Sequence, residues 1–139
     1  MAAPVFIAID WNGTVVPFFG APMYRGAADA VAQWRAAGCL VFIVSHASQK
    51  QIADDVARSG LLVDGVFGVD DKGPTFSNLR AQHGSGLVLG DHPSDLRAAQ
   101  EAGLPLLQAC LEGQAPFPGS EARYTDWSEA ALLVGALSV

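Results

Sequence analysis

The sequence predicts a three-layer α/β/α sandwich with a mainly parallel, five-stranded sheet. Short apolar runs alternate along the chain with stretches in which apolar residues have helical spacing. Several of these helical stretches end at a glycine, and several of the apolar runs end in polar residues. Strands that alternate with helices form parallel sheets through right-handed crossovers, which place helices on both faces of the sheet.

The first half of the chain shows this alternation most clearly. Residues 4–9 form an apolar run, as expected of a strand that is buried on both faces. Residues 26–37 have the spacing of a crossover helix that a glycine ends. A second apolar strand covers 40–44, and Ser48 is predicted to cap a helix that extends to Arg58.

The second half continues the pattern with shorter segments. Each apolar run is followed by a stretch of helix-forming residues, and the last such stretch is predicted to cover one face of the sheet. The predicted elements are strands at 66–69, 87–89 and 105–108 and helices near 75–83, 93–102 and 126–137.

Length and composition set limits on the architecture. A chain of 139 residues has the size of one domain, so we expect a single domain over 1–139. Charged residues make up 16% of the chain, against about 25% in an average soluble domain. This low share fits a compact parallel-sheet core with alanine-rich helices, and it also fits a buried interface between subunits.

Charge and cysteine content argue against several classes of partner. A net charge of −6 and a pI near 4.7 do not suit a nucleic acid duplex, which is bound through clustered lysines and arginines. Cys39 and Cys110 lack the spacing of a zinc site or a disulfide framework, so we expect buried, reduced thiols. No apolar run of about 18 residues and no signal-peptide pattern is present, so we expect a cytoplasmic protein without a membrane partner.

Polar side chains follow the predicted strands at the edge where ligands bind in open α/β sheets. Asp10 follows the first strand, Ser45 the second, and Asp91 the fourth, with Asp95 one helical turn later and Lys72 just past the third strand. Carboxylates gathered at one edge repel one another unless a cation lies among them. An oxygen-rich site of this kind suits Mg²⁺.

Four segments of the chain together resemble the motifs of a known family. They are Asp10-Trp11-Asn12-Gly13-Thr14, the apolar strand that ends in Ser45, Lys72 with Gly73, and Gly90-Asp91-His92-Pro93-Ser94-Asp95. In this order they are similar to the four motifs of the haloacid dehalogenase superfamily, the aspartate-nucleophile phosphohydrolases. The resemblance covers roughly residues 4–108 and implies a Mg²⁺-dependent phosphatase with a Rossmann-like fold.

The resemblance also implies a role for each motif residue. Asp10 would be the nucleophile that forms an aspartyl-phosphate, and Ser45 and Lys72 would bind the transferring phosphoryl group. The implied catalytic residues are Asp10, Asn12, Ser45 and Lys72. The implied metal ligands are Asp10, the Asn12 backbone carbonyl, Asp91 and Asp95. The candidate substrate-binding residues are Trp11, Gly13, Ser45, His46 and Lys72.

Each of these assignments has a structural alternative. A carboxylate such as Asp95 can serve as favourable charge in the first turn of a helix, and Lys72 can be an exposed turn residue. The histidines that flank the site, His46 and His92, can be solvated or locally hydrogen-bonded, and Trp11 can be ordinary packing.

Asn12 departs from the family pattern, in which most phosphatases carry a second aspartate at this position. That aspartate protonates the leaving group, and the loss of a general acid–base costs about 10² to 10⁴ in rate. The chain can still be a hydrolase, slow or suited to good leaving groups such as acyl phosphates. It can also be a phosphate- or metal-binding module with little turnover. A receiver-like signalling domain is a third hypothesis. Asp70 and Asp71 loosely imitate the order of acidic residues in such a domain.

The spacing of the motifs leaves no room for a cap domain. Family caps are inserted between the nucleophile and Ser45 or between Ser45 and Lys72, and both intervals have room only for a crossover helix and a strand. An open site must exclude water through a bulky phosphorylated substrate or a neighbouring subunit. Residues 15–19 form an apolar segment that is a candidate for such a lid or interface, and it favours a homo-oligomer.

Overall fold

The computed structural model describes residues 4–136, which form a six-stranded sheet between two layers of helices. The predicted end of the last helix, at Leu137, lies outside these residues. The elements are β1 Phe6–Ile9, α1 Ala27–Ala36, β2 Leu40–Ser45, α2 Gln49–Ser59, β3 Gly65–Gly68, α3 Lys72–His83, β4 Gly86–Gly90, α4 Pro93–Ala102, β5 Leu106–Ala109, β6 Ala122–Tyr124 and α5 Trp127–Ala136.

The strand order of the sheet is β3-β2-β1-β4-β5-β6, and every neighbouring pair is parallel. The chain therefore builds outwards from β1 in one direction, returns, and builds outwards from β4 in the other. The point at which the order reverses lies between β1 and β4, where open α/β sheets bind their ligands. A receiver has the order 2-1-3-4-5, so the receiver hypothesis is wrong.

Two apolar clusters fill the space on either side of the sheet. One contains Ile7 and Ile9 of β1 and packs against α1, α2 and α5. The other contains Phe6 and Ala8 and packs against α3 and α4. Successive residues of a strand point to opposite faces, so the uninterrupted apolar run of β1 supplies both clusters. The predicted three-layer sandwich is confirmed.

The sixth strand was not predicted from the sequence. Ala122–Tyr124 lies at the end of the strand order of the described sheet and pairs with β5, in the register Leu107↔Ala122 to Ala109↔Tyr124. It has three residues, of which only Tyr124 is buried, so it lacks the apolar run that marks the other strands. The predicted five-stranded sheet is thus extended by one edge strand.

Side-chain caps fix the starts of the helices that lead away from the site edge. Ser48 accepts a hydrogen bond from the Gln51 backbone N–H at 3.2 Å, which confirms the predicted cap of α2. Asp71 accepts one from the Gly73 N–H at 3.0 Å, so α3 begins at Lys72 instead of near residue 75. This earlier start turns the predicted loop lysine into the first residue of a helix.

The two intervals in which a cap domain was considered lie within the described residues. They contain only α1 and β2 in the first case and α2 and β3 in the second, so neither holds an inserted lid. Cys39 and Cys110 are buried and free, as predicted. Between residues 4 and 136, the helices are too short or too polar to cross a lipid bilayer. The expectation of a single domain over 1–139 stays a prediction.

Candidate active site

The loops that follow β1 and β4 meet at the edge of the sheet. The two strands are neighbours, and the Asp10 backbone N–H donates to the Leu89 carbonyl at 2.9 Å. Asp10, Asp91 and Asp95 each offer a carboxylate oxygen within 4.8 Å of the others. These oxygens are close enough to share one divalent ion.

Glycines make room for these carboxylates. Gly13 has a φ of +80°, and a Cβ atom built on it would overlap the carboxylate of Asp91. A Cβ atom on Gly90 would lie 2.5 Å from Asp95 Oδ2. Gly13 therefore leaves space for the carboxylate of Asp91. It does so in a backbone conformation that glycine adopts without strain.

Lys72 lies inside the acidic cluster. Its side chain is only 2% exposed, and its Nζ donates to Asp10 Oδ1 at 2.9 Å and to Asp95 Oδ1 at 2.6 Å. The alternative of an exposed turn lysine is wrong. Because Asp71 caps α3 at this point, the first residue of the helix is aimed at the ends of β1 and β4.

Burial and neighbouring charges shift the pKa values of Asp10, Asp95 and Lys72. Burial, with a further contribution from Asp91, raises the pKa of Asp10 to about 6, although Lys72 opposes the shift. Burial and the charge of Asp10 also raise the pKa of Asp95. Burial lowers the pKa of Lys72, but the charges of Asp10 and Asp95 outweigh it and raise the value. Three carboxylates against one ammonium leave an excess of negative charge, which a divalent cation fits.

A cavity of about 380 Å³ opens beside the cluster. It brings together several predicted site residues from four loops, together with side chains that the sequence did not single out. Its lining consists of Asp10, Asn12, Phe19, Ser45, His46, Ala47, Gln51, Lys72, His92, Ser94 and Asp95. A larger cavity of about 610 Å³ lies against α1 and the loop before β3 and contains none of the acidic cluster.

Asn12 lines this cavity and has two oxygen atoms that could bind a ligand. Its side-chain Oδ1 is buried without a hydrogen-bond partner among the described residues. Its backbone carbonyl accepts no backbone hydrogen bond from that same part of the chain. Buried polar atoms are normally paired, so an unpaired oxygen here suits a ligand.

Trp11 does not line the cavity, contrary to the prediction. The side chain is fully buried in the core cluster that contains Ile7 and Ile9, and its indole Nε1 donates to Asp55 Oδ2 at 2.7 Å. The alternation of β1 continues past the end of the strand and turns Trp11 to the same face as Ile7 and Ile9. Gly13, which was also predicted to bind substrate, is absent from the lining as well.

His92 and Asp95 close the first turn of α4 together. The Ser94 backbone N–H donates to His92 Nδ1 at 3.0 Å, and the His92 N–H donates to Asp95 Oδ2 at 3.4 Å. His92 is thus locally hydrogen-bonded. Asp95 serves both as a helix-terminus acid and as a member of the carboxylate cluster, because its other oxygen contacts Lys72. His46 is exposed and lies at the rim of the cavity.

The apolar segment 15–19 divides into two parts. Val15 and Val16 are fully buried in the core, so they cannot form a lid or a subunit interface, and the prediction is wrong for them. Phe18 is 65% exposed, and Phe19 lines the cavity. Thr14, which belongs to the first motif but was given no role from the sequence, is buried with its Oγ1 3.4 Å from Asp10 Oδ2.

Comparison with solved structures identifies the architecture. A hydrolase from Ehrlichia chaffeensis described as a member of the HAD superfamily superposes with a TM-score of 0.78 at 14% identity, over 99% of this chain and 98% of that one. The fold is that of the haloacid dehalogenase superfamily. The resemblance drawn from the four motifs is confirmed at this level. No protein-family model matches the sequence, and no curated protein matches it either.

Two further structures with the haloacid dehalogenase fold are phosphatases. D,D-heptose 1,7-bisphosphate phosphatase from B. bronchiseptica, complexed with magnesium and phosphate, gives a TM-score of 0.70 at 17% identity over 94% of this chain and 98% of that one. A phosphoserine phosphatase, solved as an analogue of its phospho-aspartyl intermediate, gives 0.73 at 12% identity over 95% and 99%.

Proposed function

We propose that this protein is a Mg²⁺-dependent phosphohydrolase that acts through an aspartyl-phosphate on Asp10. The observation that carries the proposal is the cluster of three carboxylates within 4.8 Å, with the Lys72 ammonium bonded to two of them. Support comes from structural neighbours of the same fold, which are described with magnesium, with phosphate and with a phospho-aspartyl analogue.

The metal would be held by Asp10, Asp91, Asp95 and the Asn12 carbonyl. When bound, it supplies positive charge that neutralises the phosphate and orients it against the nucleophile. The protein contributes the remaining stabilisation. Lys72 holds Asp10 in place and faces the phosphoryl oxygens, and Ser45 offers a hydroxyl at the end of β2.

The reaction would proceed in two displacements. An oxygen of Asp10 forms a bond to phosphorus while the bond from phosphorus to the leaving oxygen breaks, and that oxygen keeps the electron pair. Water then attacks phosphorus, the bond to Asp10 breaks, and its electron pair returns to the carboxylate. Inorganic phosphate leaves, and Asp10 is regenerated.

Asn12 limits the choice of substrate within this proposal. An amide cannot hand a proton to the leaving oxygen near neutral pH. A leaving group that is stable as an anion, as in acyl or aryl phosphates of small molecules, needs no such proton. We therefore propose slow turnover on ordinary alkyl phosphates and faster turnover on activated ones, with Asn12 only orienting the leaving oxygen.

The test is release of inorganic phosphate from a panel of phosphorylated metabolites and an aryl phosphate, with Mg²⁺ or with EDTA. We expect Mg²⁺-dependent release by the wild type and none by Asp10→Asn, which removes the nucleophile. Asp54→Asn changes an exposed acid on α2 and serves as the control with full activity. Equal release by Asp10→Asn and wild type would disprove the proposal.

A phosphate-binding module with little turnover is the second candidate, and the amide of Asn12 is the observation that favours it. Calorimetry with inorganic phosphate and Mg²⁺ separates the two. Tight binding of one phosphate per chain, without any release from the panel, would favour the module.

The candidate active site is open, so we also propose that a bulky substrate or a second copy of the chain covers it. Phe18, which is exposed and precedes the cavity-lining Phe19 in sequence, supports this proposal. Size-exclusion chromatography with light scattering measures the oligomeric state, and a dimer that Phe18→Ser converts to a monomer would support a subunit as the cover. The cytoplasmic location stays a prediction.

A further inference from the structure

A buried carboxylate on α2 holds the segment that forms one wall of the cavity. Asp55 is 8% exposed and accepts hydrogen bonds from donors on both sides of that segment. The Trp11 indole Nε1 donates to it at 2.7 Å, and the Gly20 backbone N–H donates at 3.0 Å. One side chain thus bridges positions 11 and 20 within the loop that follows β1, residues 10–26.

Arg58 completes the arrangement one turn further along α2. Its Nε and Nη2 atoms donate to Asp55 at 2.7 and 3.2 Å, and Nη2 also donates to the Ala21 carbonyl at 2.9 Å. The guanidinium holds the pKa of Asp55 below its ordinary value despite burial, and the donors on Trp11 and Gly20 add to this effect. The carboxylate is therefore charged and fully hydrogen-bonded at neutral pH.

The bridged segment carries two residues that line the cavity. Asn12 is next to Trp11 in sequence, and Phe19 is next to Gly20, so each lies one residue from a contact with Asp55. Val15 and Val16 anchor the middle of the segment in the core. The outer part, with Phe18 exposed, has neither helix nor strand structure to hold it.

We propose that Asp55 is a positioning residue for the candidate active site, acting through Trp11 and Gly20 to hold Asn12 and Phe19 at the cavity. The inference rests on the proposed function only for its kinetic test. Asp55 itself does not line the cavity.

The first test is hydrogen–deuterium exchange of residues 13–23 in Asp55→Asn, which keeps the shape of the side chain but loses its charge. Asp54→Asn is the matched control, since Asp54 is its neighbour on α2, is 67% exposed and forms its ion pair with the exposed Lys50. We expect exchange in 13–23 to rise about tenfold or more in Asp55→Asn, while β1, β2 and β4 stay protected. Exchange equal to that of the control, or a uniform rise in all strands, would overturn the proposal.

The second test separates positioning from general stability by kinetics. We expect KM for an aryl phosphate to rise about tenfold in Asp55→Asn, because small displacements of a binding wall cost this much or more. The inhibition constant for inorganic phosphate should change by a smaller factor than KM, because on the proposed function phosphate would contact the Ser45 and Lys72 end of the cavity, which Asp55 does not hold. If both constants change by the same factor, or neither changes, Asp55 does not position the wall.

A milder variant covers the case in which Asp55→Asn does not fold. Arg58→Gln alters a side chain that is partly exposed and removes the contact with Ala21. We expect exchange in residues 13–23 and KM to rise in this variant too, but by a smaller factor than in Asp55→Asn. If the wild type shows no turnover on any substrate, the proposed function fails, whereas the exchange experiment still decides whether Asp55 holds the segment.

Discussion

Asn12 lies at the cavity two residues after Asp10 and carries an amide where a proton donor would assist the leaving group. Asn12→Asp restores an acid of nearly the same shape. We expect kcat on an alkyl phosphate to rise by about 10², the lower end of the usual effect of a general acid–base. The gain should be much smaller on an acyl phosphate, whose leaving group needs no proton. A steady-state comparison of the two substrates checks this, and an equal gain on both would contradict the role given to Asn12.

Gly13 lies against the carboxylate of Asp91. Gly13→Ala should displace that carboxylate and weaken Mg²⁺ binding by about tenfold or more, since a metal site depends on ligand positions within a few tenths of an ångström. Gly60→Ala is the control, because Gly60 has nearly the same φ, +79°, but open space around it. Calorimetry with Mg²⁺ measures both variants. Equal weakening in the two would mean that backbone strain, and not the displacement of Asp91, is the cause.

Asp64 ties together three elements of the sheet edge opposite the site. Its carboxylate accepts two hydrogen bonds from Arg35 of α1, at 3.2 and 3.1 Å, and one from the Val41 backbone N–H of β2 at 2.8 Å, just before β3 begins. The Arg35 guanidinium, with the Val41 N–H, holds the pKa of Asp64 below its ordinary value of 3.8, although burial opposes the shift.

This lowered pKa predicts a pH-dependent contribution to stability. The native state favours the charged carboxylate, so its contribution is complete above the ordinary pKa and is lost as the pH falls through the lowered value. Asp64→Asn should reduce the free energy of unfolding by about 1 kcal/mol at pH 7, and the difference from the wild type should shrink below about pH 4. Urea denaturation at pH 7, 4 and 3 measures it. A difference that grows towards acid would contradict the ion pair.

The strands that the sequence pattern predicts most clearly are those whose residues are all buried. β1 and β4 are apolar throughout because both of their faces are covered, and this leaves a clear pattern. The sequence of β6 shows no such apolar pattern, because this short edge strand pairs with one neighbouring strand and buries one side chain, Tyr124. The strand ends also predicted that Asp10 and Asp91 meet, because parallel neighbours deliver their ends to the same edge.

Other parts of the site depend on contacts that sequence spacing does not encode. The burial of Lys72 follows from the cap at Asp71, which starts α3 earlier than the apolar spacing indicates. The direction of Trp11 could have been inferred by extending the alternation of β1 by two residues. Its partner Asp55 lies 44 residues away on α2, and no local pattern links the two.

The repulsion within the acidic cluster makes the stability of the whole molecule depend on the metal. Mg²⁺ at 100 times its Kd should stabilise the native state by about 2.7 kcal/mol and raise Tm by roughly 10 °C. Asp91→Asn should abolish this response. In EDTA the same variant should melt no lower than the wild type, because it removes one of the repelling charges. Thermal melts at matched ionic strength test both expectations, and a metal-free variant that is clearly less stable would show that repulsion is not the dominant effect.

Trp127, the first residue of α5, donates its indole N–H to the Thr14 carbonyl at 3.1 Å, across 113 positions of the chain. Thr14 belongs to the same turn as Asp10 and Asn12, so the turn after β1 is synthesised 113 residues before the indole that contacts it. During translation this hydrogen bond can form only after α5 has left the ribosome. The turn should therefore reach its final arrangement, and the site its full ability to bind phosphate, only after residue 127 has emerged.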